Sequence, residues 1–234
     1  IINIINIINM LIHEYLDQQI EYEEKYGKNT LVLMQVGSFF EFYGVNNKEE
    51  KIGNPCIITE LLNIQLTRRN KAILENSRDN CLMAGFPCHA LKRFIHILLD
   101  NNYTVVLIEQ VTPPPNPKRE ITQIFSPGTY IDEITNYNPN NIVSLYLKEE
   151  ICYKTNKNLY IFGLSCIDLS TGKNYLYEAS FGYYDKNAYY EEIYRFIETF
   201  NPKELIILFE KMNDENRNTI KKKINLENRL VHFT

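Results

Sequence analysis

The run Thr30-Leu31-Val32-Leu33-Met34-Gln35-Val36, cut off at once by Gly37-Ser38, constrains this chain more than any other stretch. Residues that favour a pleated, buried surface end at a glycine, which lets the backbone turn sharply or approach a ligand closely. Phe39-Phe40-Glu41-Phe42-Tyr43 follows. A strand that ends in Gly and a polar residue presents what comes next at a rim. Phe39 and Glu41 are then expected to project close together, a flat apolar wedge beside a hydrogen-bonding acid. That pair suits prising apart and inspecting something flat with polar edges, such as a base pair. The same aromatics also fit a core, because Phe and Tyr dominate buried area. The residues alone leave both readings open.

With 234 residues, 44% hydrophobic and 23% charged, the chain has material for one large domain or two ordinary ones of globular composition. It has no uncharged apolar run of about 18 residues, so no membrane-spanning segment is expected. It begins Ile1-Ile2-Asn3 without Met and is read as part of a longer polypeptide. The Ile-Ile-Asn repeats of residues 1–9 lack the basic start and small-residue cleavage site of a signal peptide. The five cysteines (Cys56, Cys81, Cys88, Cys152 and Cys166) are odd in number and form no CxxC. Reduced thiols in an intracellular, reducing compartment are expected. Cys81, Cys88 and His89 fit no standard zinc spacing, so no metal is expected. The net charge of −4 is unevenly spread: residues 25–132 hold 12 Lys and Arg against 10 Asp and Glu, whereas residues 1–24 hold five acids and no base. The weak positive balance of 25–132 implies modest non-specific attraction to a polyanion.

Taken in order, residues 10–26 read as a helix with Leu11, Tyr15, Leu16 and Ile20 on its apolar side and Gly27 as its stop. Residues 57–67 read as a buried strand or hairpin ending in the basic cluster Arg68-Arg69-Asn70-Lys71. Residues 82–87 read as packing around a turn shaped by Gly85 and Pro87. That turn leads into a helix over 90–101 with Leu91, Phe94, Ile95, Leu98 and Leu99 as its stripe. Strands are expected over 103–109 and 120–125, joined by an extended polyproline-like loop at 113–117 with Lys118 and Arg119 at its end. The Asn/Pro stretch 136–141 marks a domain boundary. Beyond it, strands over 142–147, 159–169 and 174–179 precede a helix over 188–200. A fully apolar strand over 205–209, suited to burial on both faces, and a helix over 213–224 complete the pattern.

Five motifs together resemble the MutS family of DNA mismatch-repair proteins. The Gly37-Ser38-Phe39-Phe40-Glu41 segment is similar to the family's Gly-Asp-Phe-Tyr-Glu. Leu66-Thr67-Arg68-Arg69 looks like its Leu-Thr-Lys-Arg, and residues 83–90 look like its Met-Ala-Gly-Ile-Pro-Tyr-His-Ala. Glu109-Gln110 and Ser126-Pro127-Gly128-Thr129 complete the ordered set. The resemblance implies an α/β fold with three parts: a leader and acidic helix over 1–24, a mixed-sheet mismatch-binding domain over 25–135, and a ribonuclease-H-like connector domain over 136–234. It implies that Phe39 stacks on a mispaired base from the minor groove while Glu41 hydrogen-bonds that base. Ser38, Arg68, Arg69, Lys71, Lys118 and Arg119 are the candidates for contact with the DNA backbone. Implied partners are duplex DNA with mismatches or small loops, downstream repair proteins and a second protomer. ATP and Mg are implied for the whole protein alone, since no G-x-x-x-x-G-K-[ST] run occurs here. Ser38 for Asp, Phe40 for Tyr and Cys88 for Tyr depart from the family pattern.

Two other functions compete. A ribonuclease-H-like domain can carry carboxylates for two Mg ions, with Asp168 late in a strand as one and Glu178, Glu198 or Asp214 as partners, although no spacing supports that set. A module that only relays contacts to other repair proteins is the second.

Overall fold

Helix α1 (Ile2–Tyr26) precedes the strand run and ends where Gly27 takes a φ of +100°. It begins well before residue 10, so the Ile/Asn repeats belong to it. The structure, a computed structural model, describes residues 2–131, 139–226 and 229–233, with side chains from residue 9 onward. The buried face of α1 is Ile12, Tyr15, Leu16, Gln19 and Tyr22, a spacing of three and four, with Leu11 and Ile20 half-buried at its margins. Gln19 is buried because its amide meets backbone: Nε2 donates to Thr30 O at 2.7 Å and Oε1 accepts from Val32 N at 2.9 Å. The Tyr15 hydroxyl donates to Val32 O at 2.7 Å.

The chain divides into two compact units, residues 1–127 and 128–234. The boundary expected at 135/136 lies outside the described residues. In the first unit, β1 (Thr30–Val36) turns at Gly37-Ser38 into β2 (Phe39–Asn46). After β3 (Lys51–Ile52) comes α2 (Pro55–Leu62), then β4 (Thr67–Arg68) and β5 (Leu82–Pro87). A short 3-10 turn, Cys88–Ala90, leads into α3 (Leu91–Asp100), which is followed by β6 (Thr104–Gln110) and β7 (Arg119–Phe125). The strand order is β4-β5-β2-β1-β6-β7, with β3 on β2, and only β1–β6 is a parallel pair.

Three expectations for this unit are corrected. Residues 55–62 form a helix, not a strand. Pro55 occupies a first-turn position where its missing N–H costs nothing, Ile58, Thr59 and Leu62 are buried at helical spacing, and Asn63 closes the helix in the left-handed region. Residues 82–87 form a strand, not a turn. Gly85 is needed there for clearance, because a Cβ would sit 2.7 Å from Phe40 O and 3.1 Å from Glu41 Cγ. The Pro-rich stretch bends at 114–116 and is closed by Val111 N donating to Lys118 O at 2.9 Å, so it is not an extended rod.

The core fills both faces of this sheet. Phe40, Phe86 and Phe94 form one cluster, with the last two rings 4.4 Å apart, while Tyr43 meets Tyr15 edge-on at 4.9 Å. Each such buried ring contributes about 1.5–3 kcal/mol.

The second unit runs β8 (Asn141–Cys152), β9 (Lys157–Asp168), β10 (Lys173–Gly182), α4 (Lys186–Phe200), β11 (Glu204–Glu210), α5 (Asp214–Lys223) and β12 (Leu230–Phe233). Its sheet order is β10-β9-β8-β11-β12. The first three strands form an antiparallel meander, and β11 and β12 lie parallel to β8 and β11. Tyr189, Ile193 and Ile197 of α4 and Ile220 of α5 pack on Val143, Leu145, Phe162, Leu164, Leu205 and Ile207. The expected burial of residues 205–209 on both faces is corrected: Ile206 and Leu208 are exposed, so β11 is covered on one face only. Asn201, left-handed at φ +38°, ends α4, and the Asn213 side chain caps α5 by accepting from Asn216 N at 2.8 Å.

Candidate nucleic-acid interface

Period-two alternation sorts the aromatics of β2. Phe40 and Phe42 point into the core at 2% and 0% exposure, while Phe39 stands 44% exposed at the hairpin end. The core reading therefore holds for Phe40 and Phe42, while Phe39 lies outside the core. Phe39 faces Val36 on one side and Pro87 on the other, where β2 lies between β1 and β5. Glu41, two residues along on the same face, is half-buried opposite Met34 and Gly85. It accepts a hydrogen bond from the Tyr43 hydroxyl. Burial, and after it the Glu41 charge, push the Tyr43 hydroxyl far above the usual tyrosine range, so it stays a donor.

Between the strands, Gly37 takes a φ of +62° at the first position of a two-residue turn, where glycine has no steric penalty. Ser38 is exposed and its carbonyl accepts from Cys88 N at 2.9 Å.

The basic candidates do not share one environment. Arg68 and Arg69 are half-buried and hold the loop that follows them: Arg68 Nη1 donates to Leu74 O at 2.5 Å, and Arg69 donates to the Asn9 side chain and to Asp79 O at 3.5 Å. Lys71 is exposed at the start of that loop. Lys118 is exposed and paired with Glu120. Arg119 is half-buried and donates from Nε to Gln35 O at 3.1 Å. Arg78, not singled out in the sequence, bridges Asp17 at 2.8 Å and Glu50 at 3.0 Å. Gln35 and Tyr43 have no role in the sequence reading, and Gln110 enters it only through the Glu109-Gln110 motif. The one signal for Gln35 was a polar residue in an otherwise apolar strand.

The carboxylates of the nuclease alternative do not converge. Asp168 is buried, and its oxygens accept from Asn140 N at 3.0 Å, Ser170 N at 3.0 Å and Thr171 Oγ1 at 2.6 Å. These bonds, Thr171 first, hold its carboxyl below the usual range. Glu198 pairs with Arg229 at 2.6 Å, Asp214 sits in the first turn of α5, and Glu178 lies on β10. Among the described residues no three His, Cys, Asp or Glu side chains gather as metal ligands, and no helix is long and apolar enough to cross a membrane.

The first unit is thus a mixed sheet that leaves one aromatic, Phe39, outside its core beside the half-buried Glu41. The family model described as MutS domain I matches residues 15–134. A mutS homolog of Acanthamoeba polyphaga mimivirus, named for DNA mismatch repair, is 34% identical over 200 residues, 85% of this chain and 18% of the relative. The DNA mismatch repair protein MutS of Halothermothrix orenii is 32% identical over 203 residues, covering 85% and 20%. That of Petrotoga mobilis is 33% identical over 163 residues, covering 68% and 17%. The chain belongs to the MutS family of DNA mismatch-repair proteins. It spans about a fifth of the length of the curated relatives it matches.

Proposed function

We propose that the first unit reads mispaired or unpaired bases in duplex DNA, with Phe39 inserting at the defect and Glu41 hydrogen-bonding the base it meets. The observation that carries this is the exposure of Phe39 at a hairpin tip while Phe40 and Phe42 of the same strand are sealed in the core. Inserting a ring unstacks a base step and kinks the duplex at a cost of a few kcal/mol. A mismatched step is already poorly stacked, so less is lost there. Stacking on the aromatic returns about 1–3 kcal/mol. The balance favours a defect and disfavours sound duplex, so deformability is read rather than sequence. Glu41 sharpens the choice: a carboxylate against a polyanion is repelled unless a base N–H answers it.

Lys71 and the exposed Ser38 are free to meet phosphates; Lys118 does so by leaving Glu120, and Arg68 and Arg69 by giving up the bonds described above. The second unit, with its antiparallel meander followed by two helix-and-parallel-strand steps, supports the reading of a ribonuclease-H-like connector. Within a whole MutS-type protein, ATP and Mg, a second protomer and downstream repair proteins act with this chain, and no catalytic role is assigned to its own residues. Anisotropy titrations of matched and mismatched oligonucleotides test the wedge. Phe39→Ala is expected to lose mismatch preference and keep weak duplex binding; an unchanged preference ends the reading.

A further inference from the structure

The Gly37-Ser38 turn is held by side chains from three strands. Gln35 of β1 donates from Nε2 to Gly37 O at 3.1 Å. Gln110, at the end of β6, donates its backbone N–H to Gln35 Oε1 at 3.0 Å. With its amide oriented so that the oxygen faces them, Gln110 also accepts from Gly37 N at 3.2 Å and from Arg119 Nη2 at 3.0 Å. Arg119, the cross-strand partner of Gln110 on β7, donates from Nε to Gln35 O. With Cys88 N on the Ser38 carbonyl, the Gly37 N–H and both turn carbonyls are engaged. A solvent-exposed hairpin tip does not need this: its backbone groups can bond to water. Here the Gln110 side chain from β6, a strand outside the hairpin, takes the Gly37 N–H in place of water, and Arg119 from β7 holds Gln110 and Gln35 in turn.

We propose that Gln110 and Arg119 are positioning residues for mismatch discrimination: they lock the turn so that the Phe39 ring stands at one height and angle. The proposal rests on the reading of Phe39 as the wedge. A ring on a rocking tip finds sound and defective steps alike, whereas a fixed ring enters only where a step yields. Preorganisation of this kind acts on the difference between two substrates more than on the affinity for either. The proposal gives Arg119 a different task from phosphate contact, because the Nε and Nη2 edge of its guanidinium is turned to Gln35 and Gln110.

The test uses the complete gene product and reads the ratio of mismatched to matched duplex affinity across a salt series. Gln110→Leu is expected to lower that ratio roughly fivefold to tenfold with matched-duplex affinity little changed. Gln110→Glu, which keeps acceptors for both Gly37 and Arg119, is expected to restore it. Arg119→Lys retains the charge but not the planar fork, and is expected to lower the ratio as Gln110→Leu does, with the salt slope unchanged. Should Gln110→Leu fail to fold, Arg119→Lys carries the test alone. A wild-type ratio in Arg119→Lys, together with a salt slope reduced by about one in Arg119→Gln, makes Arg119 a phosphate contact and overturns the proposal. So does a wild-type ratio in Gln110→Leu. Phe39→Ala is run beside them: if it keeps the ratio, the wedge reading itself has failed, which is a different result from a failed brace.

Discussion

Two hairpin turns in this chain use the same device and do different things with it. Between β1 and β2, Gly37 sits at φ +62°; between β9 and β10, Gly172 sits at φ +72°. The second turn is held from its own strand end. Asp168 takes the Ser170 N–H and the Thr171 hydroxyl, and Gly172 N donates to Asp168 O at 2.7 Å. Apart from Asn140 N, everything that bonds the Asp168 side chain is in the turn itself. The first turn is held by Gln35 of β1, by Gln110 of β6 with Arg119 of β7 behind it, and by Cys88 just past β5. A turn that only reverses the chain needs local bonds. A turn braced from several strands is one whose exact placement matters.

The two carboxylates nearest these turns give the largest contrast. Glu41→Ala is expected to cut the mismatch-to-matched affinity ratio about tenfold by tightening matched-duplex binding, whereas Asp168→Ala is expected to leave DNA binding alone and lower the urea midpoint. Equal effects of the two on DNA binding would break the comparison. The glycines come next. Gly37→Ala and Gly172→Ala are each expected to cost about 1 kcal/mol in chemical denaturation, since both force an L side chain into the left-handed region. Only Gly37→Ala is expected to lose mismatch preference as well.

Tyr43→Phe removes one hydroxyl and keeps the ring against Tyr15. A decline in discrimination of roughly threefold to tenfold is expected from the loss of one bond to a carboxylate, and none in a Glu41→Ala background, which a double-mutant cycle reads directly. The smallest effect is one of pH. The Asp168 carboxyl is held below its ordinary value of 3.8 in the folded chain, so the unfolded chain takes up that proton first. Its contribution is complete above that ordinary value and disappears as pH falls through the depressed one. The difference in urea midpoint between wild type and Asp168→Ala is expected to hold from neutral pH down to about 5 and to shrink progressively below about 4. A difference that does not shrink at all on the way to acid unfolding would show that Asp168 acts by packing.

The sequence carried the elements with strong periodicity. The β1 run, the α3 stripe and the whole succession from β8 to α5 were legible because their apolar spacing matched one period and Gly or Asn marked their ends. Residues 55–62 are ambiguous in the sequence because a short run of Ile and Leu fits a strand as well as a helix, and Pro55 in the first turn decides for the helix. Gly85 resembles a turn residue in the sequence because its neighbour across the sheet, Glu41, is 44 positions away in the chain. Which of the Phe39–Tyr43 aromatics enter the core needed the register of β2, and alternation points to it. The brace on the turn was not legible at all. Gln35, Gln110 and Arg119 meet only through the parallel β1–β6 pairing and the β6–β7 hairpin, which no local pattern announces.

The bonds from α1 to β1 set a limit on dissection of the molecule. Beyond Met34, toward its start, β1 has no register with β2, and the vacant hydrogen-bonding groups of Thr30 and Val32 are taken by Gln19 and Tyr15. The helix is therefore a surrogate strand, not a leader that can be trimmed. An expression fragment that starts after Gln19 would expose a ragged seam in the middle of the sheet, and the smallest self-sufficient version of the first unit has to open upstream of Tyr15.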